Sequence, residues 1–203
     1  MRDSKNHDPP KSGFTRRSFF KGSGAVAAAA ALANSPAETL AQAKEKVAGK
    51  GWKTITLNVN GQPRQVKTEN RTTLLEVLRY ELELTGAKPI SGDGSSGGST
   101  VLLDGKPVTA STTLAVACAG KKIETVESLG AKLDAVPREF VKHDAQQCGF
   151  CTPGFVVAVR AFLDKNPNAT EEEIRKGLNG NICRCGTYAS VLSAAVAVAK
   201  GGR

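Results

Sequence analysis

Four of the five cysteines in this 203-residue chain stand in two short motifs, Cys148-Gly-Phe-Cys151 and Cys183-Arg-Cys185, and the first 117 residues contain none. Thiolates that arrive in pairs from separate motifs form a soft donor set, the kind that holds iron-sulfur clusters or zinc. The pairs are 31 residues apart, so the intervening chain must fold back on itself, and two helices would do that. The fifth cysteine, Cys118, lies in the apolar run Leu114-Ala-Val-Ala-Cys118 and reads as a small buried hydrophobe.

Around these motifs the hydrophobic period changes once. Residues 53 to 67 alternate apolar and polar on both sides of Asn60-Gly61, with Ile55, Leu57 and Val59 before the turn and Val66 after it. That pattern predicts a hairpin, because Asn-Gly supplies the positive φ angles of a type I′ turn. Thr72 or Thr73 then caps a helix with Leu74, Leu75, Leu78 and Leu82 on its inner face. A glycine- and serine-rich loop, Ser91 to Ser99, leads into a second hairpin, Thr100–Leu103 and Lys106–Thr109, around Asp104-Gly105, and residues 122 to 126 supply one more strand. Two hairpins packed on one helix predict a small α+β domain of the β-grasp kind.

From about Pro137 the period is helical. Pro137 and Pro153 sit where a first turn tolerates a missing N–H. The Pro153 helix carries Phe155, Val156, Val159 and Phe162 and ends near Asn166-Pro167. Thr170 and Glu173 form a capping box for a helix that stops near Asn179-Gly180, and a last helix runs from about Tyr188 to Lys200. Both cysteine motifs therefore fall at helix ends.

The N-terminus is not expected to belong to the fold. Thr15-Arg16-Arg17-Ser-Phe-Phe-Lys21 precedes an alanine-rich run, Gly22 to Ala33, too short and too weakly apolar for a permanent membrane span. Arg16 and Arg17 read as the pair of a twin-arginine export signal, which implies the twin-arginine machinery and a periplasmic destination. Small residues allow cleavage after Ala33 or Ala43, and Ala43 is favoured because Asn34 to Gln42 would serve as the polar region before the cut. Removing residues 1–43 takes away six basic and three acidic residues, so the net charge falls from +9 to +6. The remaining basic residues are scattered among few aromatics, which excludes a nucleic-acid stripe, and no stable membrane span is expected after processing.

At the cysteines themselves three readings compete. Glycines at 149 and 186 ease the backbone around a metal group and suit a 2Fe-2S cluster. Zinc sites more often present a Cys-x2-Cys or Cys-x4-Cys knuckle on each side, and Cys183-x-Cys185 is an unusual second half. Cys148-Gly-Phe-Cys151 has thioredoxin spacing but no preceding strand, and paired disulfides are the plainest option for an exported chain. The iron-sulfur reading is favoured. The alternative is a non-redox binding or scaffold module, stabilised by zinc or disulfides.

Gln147-Cys-Gly-Phe-Cys-Thr-Pro-Gly154 and Asn179-Gly-Asn-Ile-Cys-Arg-Cys-Gly-Thr-Tyr188 resemble the signature of the iron-sulfur subunit of molybdenum hydroxylases, the xanthine dehydrogenase and aldehyde oxidoreductase family. The similarity covers about residues 53 to 199. It implies a plant-ferredoxin-like β-grasp domain, residues 51–127, and a four-helix domain, residues 136–200, each holding one 2Fe-2S cluster in the family. It also implies a molybdopterin-binding large subunit and an FAD-binding subunit or other electron acceptor as partners. Cys148, Cys151, Cys183 and Cys185 would hold the cluster of the helical domain, and Gln147 would lie against the pterin. The chain itself would carry electrons and perform no catalysis.

The first domain departs from that pattern. Where the family has Cys-x4-Cys-x2-Cys and a fourth cysteine after the next hairpin, this chain has Ser91, Ser96, Ser99 and Ser111, although the flanks Leu74-Leu-Glu-Val-Leu78, Leu84-Thr-Gly-Ala-Lys88 and Thr100-Val-Leu-Leu-Asp-Gly105 fit. A serine hydroxyl stays protonated near neutral pH, and its oxygen is a harder, poorer partner for iron and sulfide than a thiolate. The expectation is one cluster per chain, no cluster in the serine loop, and an electron relay to the acceptor that is severely impaired or abolished.

Overall fold

The computed structural model describes residues 51–131 and 134–201. The export signal, with Arg16, Arg17 and its cleavage site, lies outside the described residues.

Five strands form one mixed sheet: β1 (Trp52–Val59), β2 (Gln62–Glu69), β3 (Thr100–Leu103), β4 (Lys106–Thr109) and β5 (Lys122–Glu124), in the order β2-β1-β5-β3-β4. β1 and β2 are the expected antiparallel hairpin, with Ile55 opposite Val66. Asn60 and Gly61 take φ of 54° and 81°, the left-handed pair that the turn requires. β5 runs parallel to β1 and antiparallel to β3, so the two hairpins join through a central strand.

The helix between the hairpins differs from its expected form. Thr73 caps α1 (Leu74–Glu76), its hydroxyl accepting from the Glu76 N–H while the Glu76 carboxylate accepts from the Thr73 N–H. After one turn the backbone widens into a π-helical segment, Val77–Glu81, closed by the Leu82 N–H donating to the Val77 carbonyl at 3.1 Å. The wider turn lets Val77 join Leu74, Leu75 and Leu78 inside, and Leu82 is only partly buried. Equal spacing along the sequence cannot show such a change in helical pitch.

β3 is covered on both faces. Val101 belongs to the core formed with Leu57, Val59, Val77, Leu78, Cys118 and Ile123, and Leu102 points the other way into the helical core, as period two demands. That second core is built by α2 (Val126–Ala131), α3 (Ala135–Lys142), α4 (Thr152–Lys165), α5 (Glu171–Gly177) and α6 (Tyr188–Ala199). Its centre is Val136, Phe140, Phe155, Val159, Ile174, Val191 and Val198. Burying each of the larger of these side chains is worth about 1.5–3 kcal/mol. α2 is an addition to the expected helices, and α3 begins two residues ahead of Pro137, capped by the Asp134 carboxylate. α5 carries the expected capping box, Thr170 with Glu173. Among the described residues no helix is long and apolar enough to cross a membrane.

Candidate metal centre

Each cysteine motif turns directly into a helix. Gly149, at φ +79°, bends the first motif, and Cys151 is the N-cap residue of α4, its carbonyl accepting from the Phe155 N–H. Gly186, at φ +80°, bends the second, and Thr187 is the N-cap residue of α6. A Cβ at either glycine would meet nothing within 4 Å, so what these positions require is backbone conformation, not space. The motifs thus run directly into the N-termini of α4 and α6, whose positive ends favour anionic charge nearby.

Side chains of α4 and α6 tie the two motifs together. Tyr188 packs edge-on against Phe155, with ring centroids 6.1 Å apart, and its hydroxyl oxygen accepts the Cys183 N–H at 2.8 Å. The buried Thr187 hydroxyl donates to Cys183 Sγ at 3.0 Å. Cys151 and Cys183 are buried, Cys185 is half-buried and Cys148 is exposed. All four are free thiols. Gln147 is exposed on the chain immediately before Cys148.

The thiols interact in twos, Cys148 with Cys185 and Cys151 with Cys183, and within each pair their proton affinities diverge. Burial works against the Cys183 thiolate, but hydrogen bonds from the Thr187 hydroxyl and backbone, then from Cys151 and the Cys185 backbone, bring it down to about 7. Burial, together with the bond to Cys183, pushes Cys151 up to about 12. The Phe150 backbone N–H, then the Cys185 thiol, hold Cys148 below the ordinary thiol range. A bond from the Cys148 backbone favours the Cys185 thiolate, but the hydrogen bond to Cys148 Sγ, desolvation and the neighbouring charges outweigh it and raise Cys185.

This donor set fits a binuclear cluster better than a single ion. Two pairs of thiolates match a cluster whose two irons each take two cysteine sulfurs, and a tetrahedral zinc would need all four at one centre.

The four serines repeat the two-by-two arrangement with oxygen. Ser91 Oγ and Ser96 Oγ are 2.7 Å apart, and the Ser99 hydroxyl donates to Ser111 Oγ at 3.0 Å. Backbone N–H groups complete the set, Ser96 donating to Ser91 Oγ at 3.0 Å and Ser111 to Ser99 Oγ at 3.2 Å. Ser96, Ser99 and Ser111 are buried. Every hydroxyl in the loop has a partner, and the loop offers no thiolate.

The sequence did not single out Thr187 as a sulfur partner, because its reach to Cys183 depends on the Gly186 turn. Cys118 is fully buried and bonded to the Leu114 carbonyl, with burial first among the causes that raise its thiol.

Residues 125–196 match the 2Fe-2S binding domain family, and residues 13–33 match the twin-arginine translocation signal sequence family. The chain is 38% identical over 206 residues to the aldehyde oxidoreductase iron-sulfur-binding subunit PaoA of Escherichia coli (strain K12), across 93% of this chain and 89% of that one. Its fold is similar to that of quinoline 2-oxidoreductase from Pseudomonas putida 86, with a TM-score of 0.71 and 40% identity, covering 75% of this chain and 96% of the solved one. Aldehyde oxidoreductase from Desulfovibrio desulfuricans matches at a TM-score of 0.69 and 38% identity, over 72% of this chain and only 17% of that much longer one.

Proposed function

The chain belongs to the electron-transfer iron-sulfur subunits of the molybdenum hydroxylases, the family of aldehyde oxidoreductases and xanthine and nicotinate dehydrogenases, and from that premise we propose that it carries one 2Fe-2S cluster, in the helical domain alone. Cys148 and Cys185 would hold one iron, Cys151 and Cys183 the other. A cluster bound there supplies one-electron storage. The Thr187 hydroxyl and the N-termini of α4 and α6 would stabilise the negative charge that an added electron brings.

The observation that carries this reading is the contrast between the two sets of side chains. The cysteine pairs include thiols poised to lose protons, with Cys183 at about 7, and the serine pairs bond to each other. Residues 51–127 would then be a ferredoxin-like domain with no redox station, followed by the cluster-bearing domain, residues 136–200. Ser91, Ser96, Ser99 and Ser111 would bind no iron, and electron relay through this chain to its acceptor would be severely impaired or abolished.

The signal sequence directs export across the membrane, which supports a periplasmic location after removal of residues 1–43. The partners of this reading are a molybdopterin-binding large subunit, with Gln147 facing the pterin, and an FAD-binding subunit or other acceptor.

Protein purified without oxygen should contain about two irons per chain and show one paramagnetic species on reduction. Changing all four serines to cysteine should raise the content to about four irons and add a second species. Four irons in the unaltered chain would overturn the claim of an empty serine loop. Zinc, disulfides or no metal at all would overturn the cluster assignment.

A further inference from the structure

Two consecutive carbonyls of the serine loop bond to the segment just before Cys183. The Ser96 carbonyl accepts the N–H of Ile182, the residue before Cys183, at 3.0 Å. The Gly97 carbonyl accepts Asn181 Nδ2 at 3.0 Å, a buried bond between residues 84 apart in sequence. The Gly98 carbonyl accepts the Lys88 N–H at 2.9 Å, and the Lys88 ammonium lies 5.9 Å from the centre of the Phe150 ring, inside the first cysteine motif. The backbones meet without room for a side chain. A Cβ at Gly154 would overlap the Gly97 carbonyl oxygen, and one at Gly97 would overlap the Gly180 carbonyl oxygen.

The direction of the Ser96 carbonyl depends on how Ser96 is held. Its own N–H donates to Ser91 Oγ, and the two hydroxyls are 2.7 Å apart. On the motif side, Cys183 is fixed between the Ile182 N–H, bound to Ser96, and its own N–H, bound to Tyr188. The Ser99–Ser111 pair has a different duty. The Ser99 carbonyl accepts the Ala110 N–H, tying that limb to the sheet.

We infer that Ser91, Ser96 and Asn181 are positioning residues for the cysteine centre: the serine loop braces Cys183 through the Ser96 carbonyl and the Asn181 side chain, so this loop serves the other site's geometry. The inference rests on the reading that Cys148, Cys151, Cys183 and Cys185 hold a cluster.

The test compares Ser91→Ala, Asn181→Ala and Ser111→Ala in the full-length, cluster-loaded chain, by the rate of iron release to a chelator and the spectrum of the reduced cluster. Ser91→Ala and Asn181→Ala should each speed iron release about tenfold, the lower end of the usual effect of losing an outer-shell contact, and shift the paramagnetic signature. Ser111→Ala should change neither. Equal effects from all three variants would mean general loosening of the loop and would overturn the inference, as would unaltered release in Ser91→Ala and Asn181→Ala. Ser91 is half-buried, so Ser91→Ala decides the matter if Asn181→Ala does not fold. An unaltered chain that holds no iron would instead defeat the cluster reading itself.

Discussion

The serine loop and the cysteine loops follow one plan, four side chains grouped in twos with a positive-φ glycine inside each turn, and they differ by one element at each tip. Gly94 and Gly97 bend the first, Gly149 and Gly186 the second. With oxygen, the pairs close at 2.7 and 3.0 Å and use backbone N–H groups to complete their bonding. With sulfur, the larger and more acidic groups separate into thiols of unequal proton affinity, about 7 for Cys183 and about 12 for Cys151. One arrangement is finished as it stands, and the other is a donor set that a soft metal can complete.

The comparison breaks most sharply at a single exchange in each direction. Cys183→Ser should take the helical domain from about two irons to none, since three thiolates and a buried hydroxyl leave one iron short of its ligands. Ser99→Cys alone should bind no iron, because three hydroxyls remain around it. Iron analysis of both variants checks this, and a stable cluster in either would show that the donor atom matters less than the loop.

A smaller effect isolates the sulfur environment. Thr187→Val keeps the shape of the buried residue and removes the O–H that donates to Cys183 Sγ at 3.0 Å. A hydrogen bond to a charged group is worth about 1.5–3 kcal/mol. Part of that is felt in both redox states, so the reduction potential should fall by a fraction of it. Potentiometric titration reads the shift, and an unchanged or raised potential would remove Thr187 from the electrostatic account.

The smallest effect separates stability from cluster retention. Thr73→Ala should cost about 1 kcal/mol, as for other lost threonine caps, with iron release unchanged because the cap is a local, exposed contact at the start of α1. The Glu76 carboxyl is held below its usual 4.5, first by the Thr73 backbone N–H and then by its hydroxyl. Its folded-state value is depressed, so the stabilisation is complete above the ordinary carboxylate range and is lost as pH falls through the lowered value. Thermal melting of the Thr73→Ala variant should therefore differ most from the parent near neutral pH, and the difference should shrink in acid by the share of the hydroxyl's bond to the carboxylate, while the share of the Glu76 N–H bond to Thr73 Oγ remains. A difference that persists undiminished in acid would remove Glu76 from the explanation.

Much of the fold was legible because its elements are local. Asn60-Gly61 and Asp104-Gly105 specified their hairpins and Thr170 with Glu173 its helix start, since each depends on residues a few positions apart. α2 does not stand out in the sequence because Val126–Ala131 is only 6 residues long, too short for a helical period to show, and is held by Val126 and Leu129 packing on the helical core. At the candidate metal centre, residue types and spacing pointed to four sulfur donors. The pairing of Cys148 with Cys185 and of Cys151 with Cys183 crosses the two motifs, and no spacing within a motif encodes it.

The sequence by itself determined the chemistry available at each loop, four thiols in one and four hydroxyls in the other, because an element's softness and acidity come with the residue. It also determined the turns and caps, which short-range sterics and hydrogen bonds settle. Only the tertiary structure decided what those groups meet. Asn60, read as a turn residue, also exchanges two side-chain hydrogen bonds of 2.9 Å with Thr125, and Ser96 presents its carbonyl to the residue before Cys183. Such contacts join positions 65 and 86 apart in sequence, and they exist only once the sheet and the helices have packed on each other.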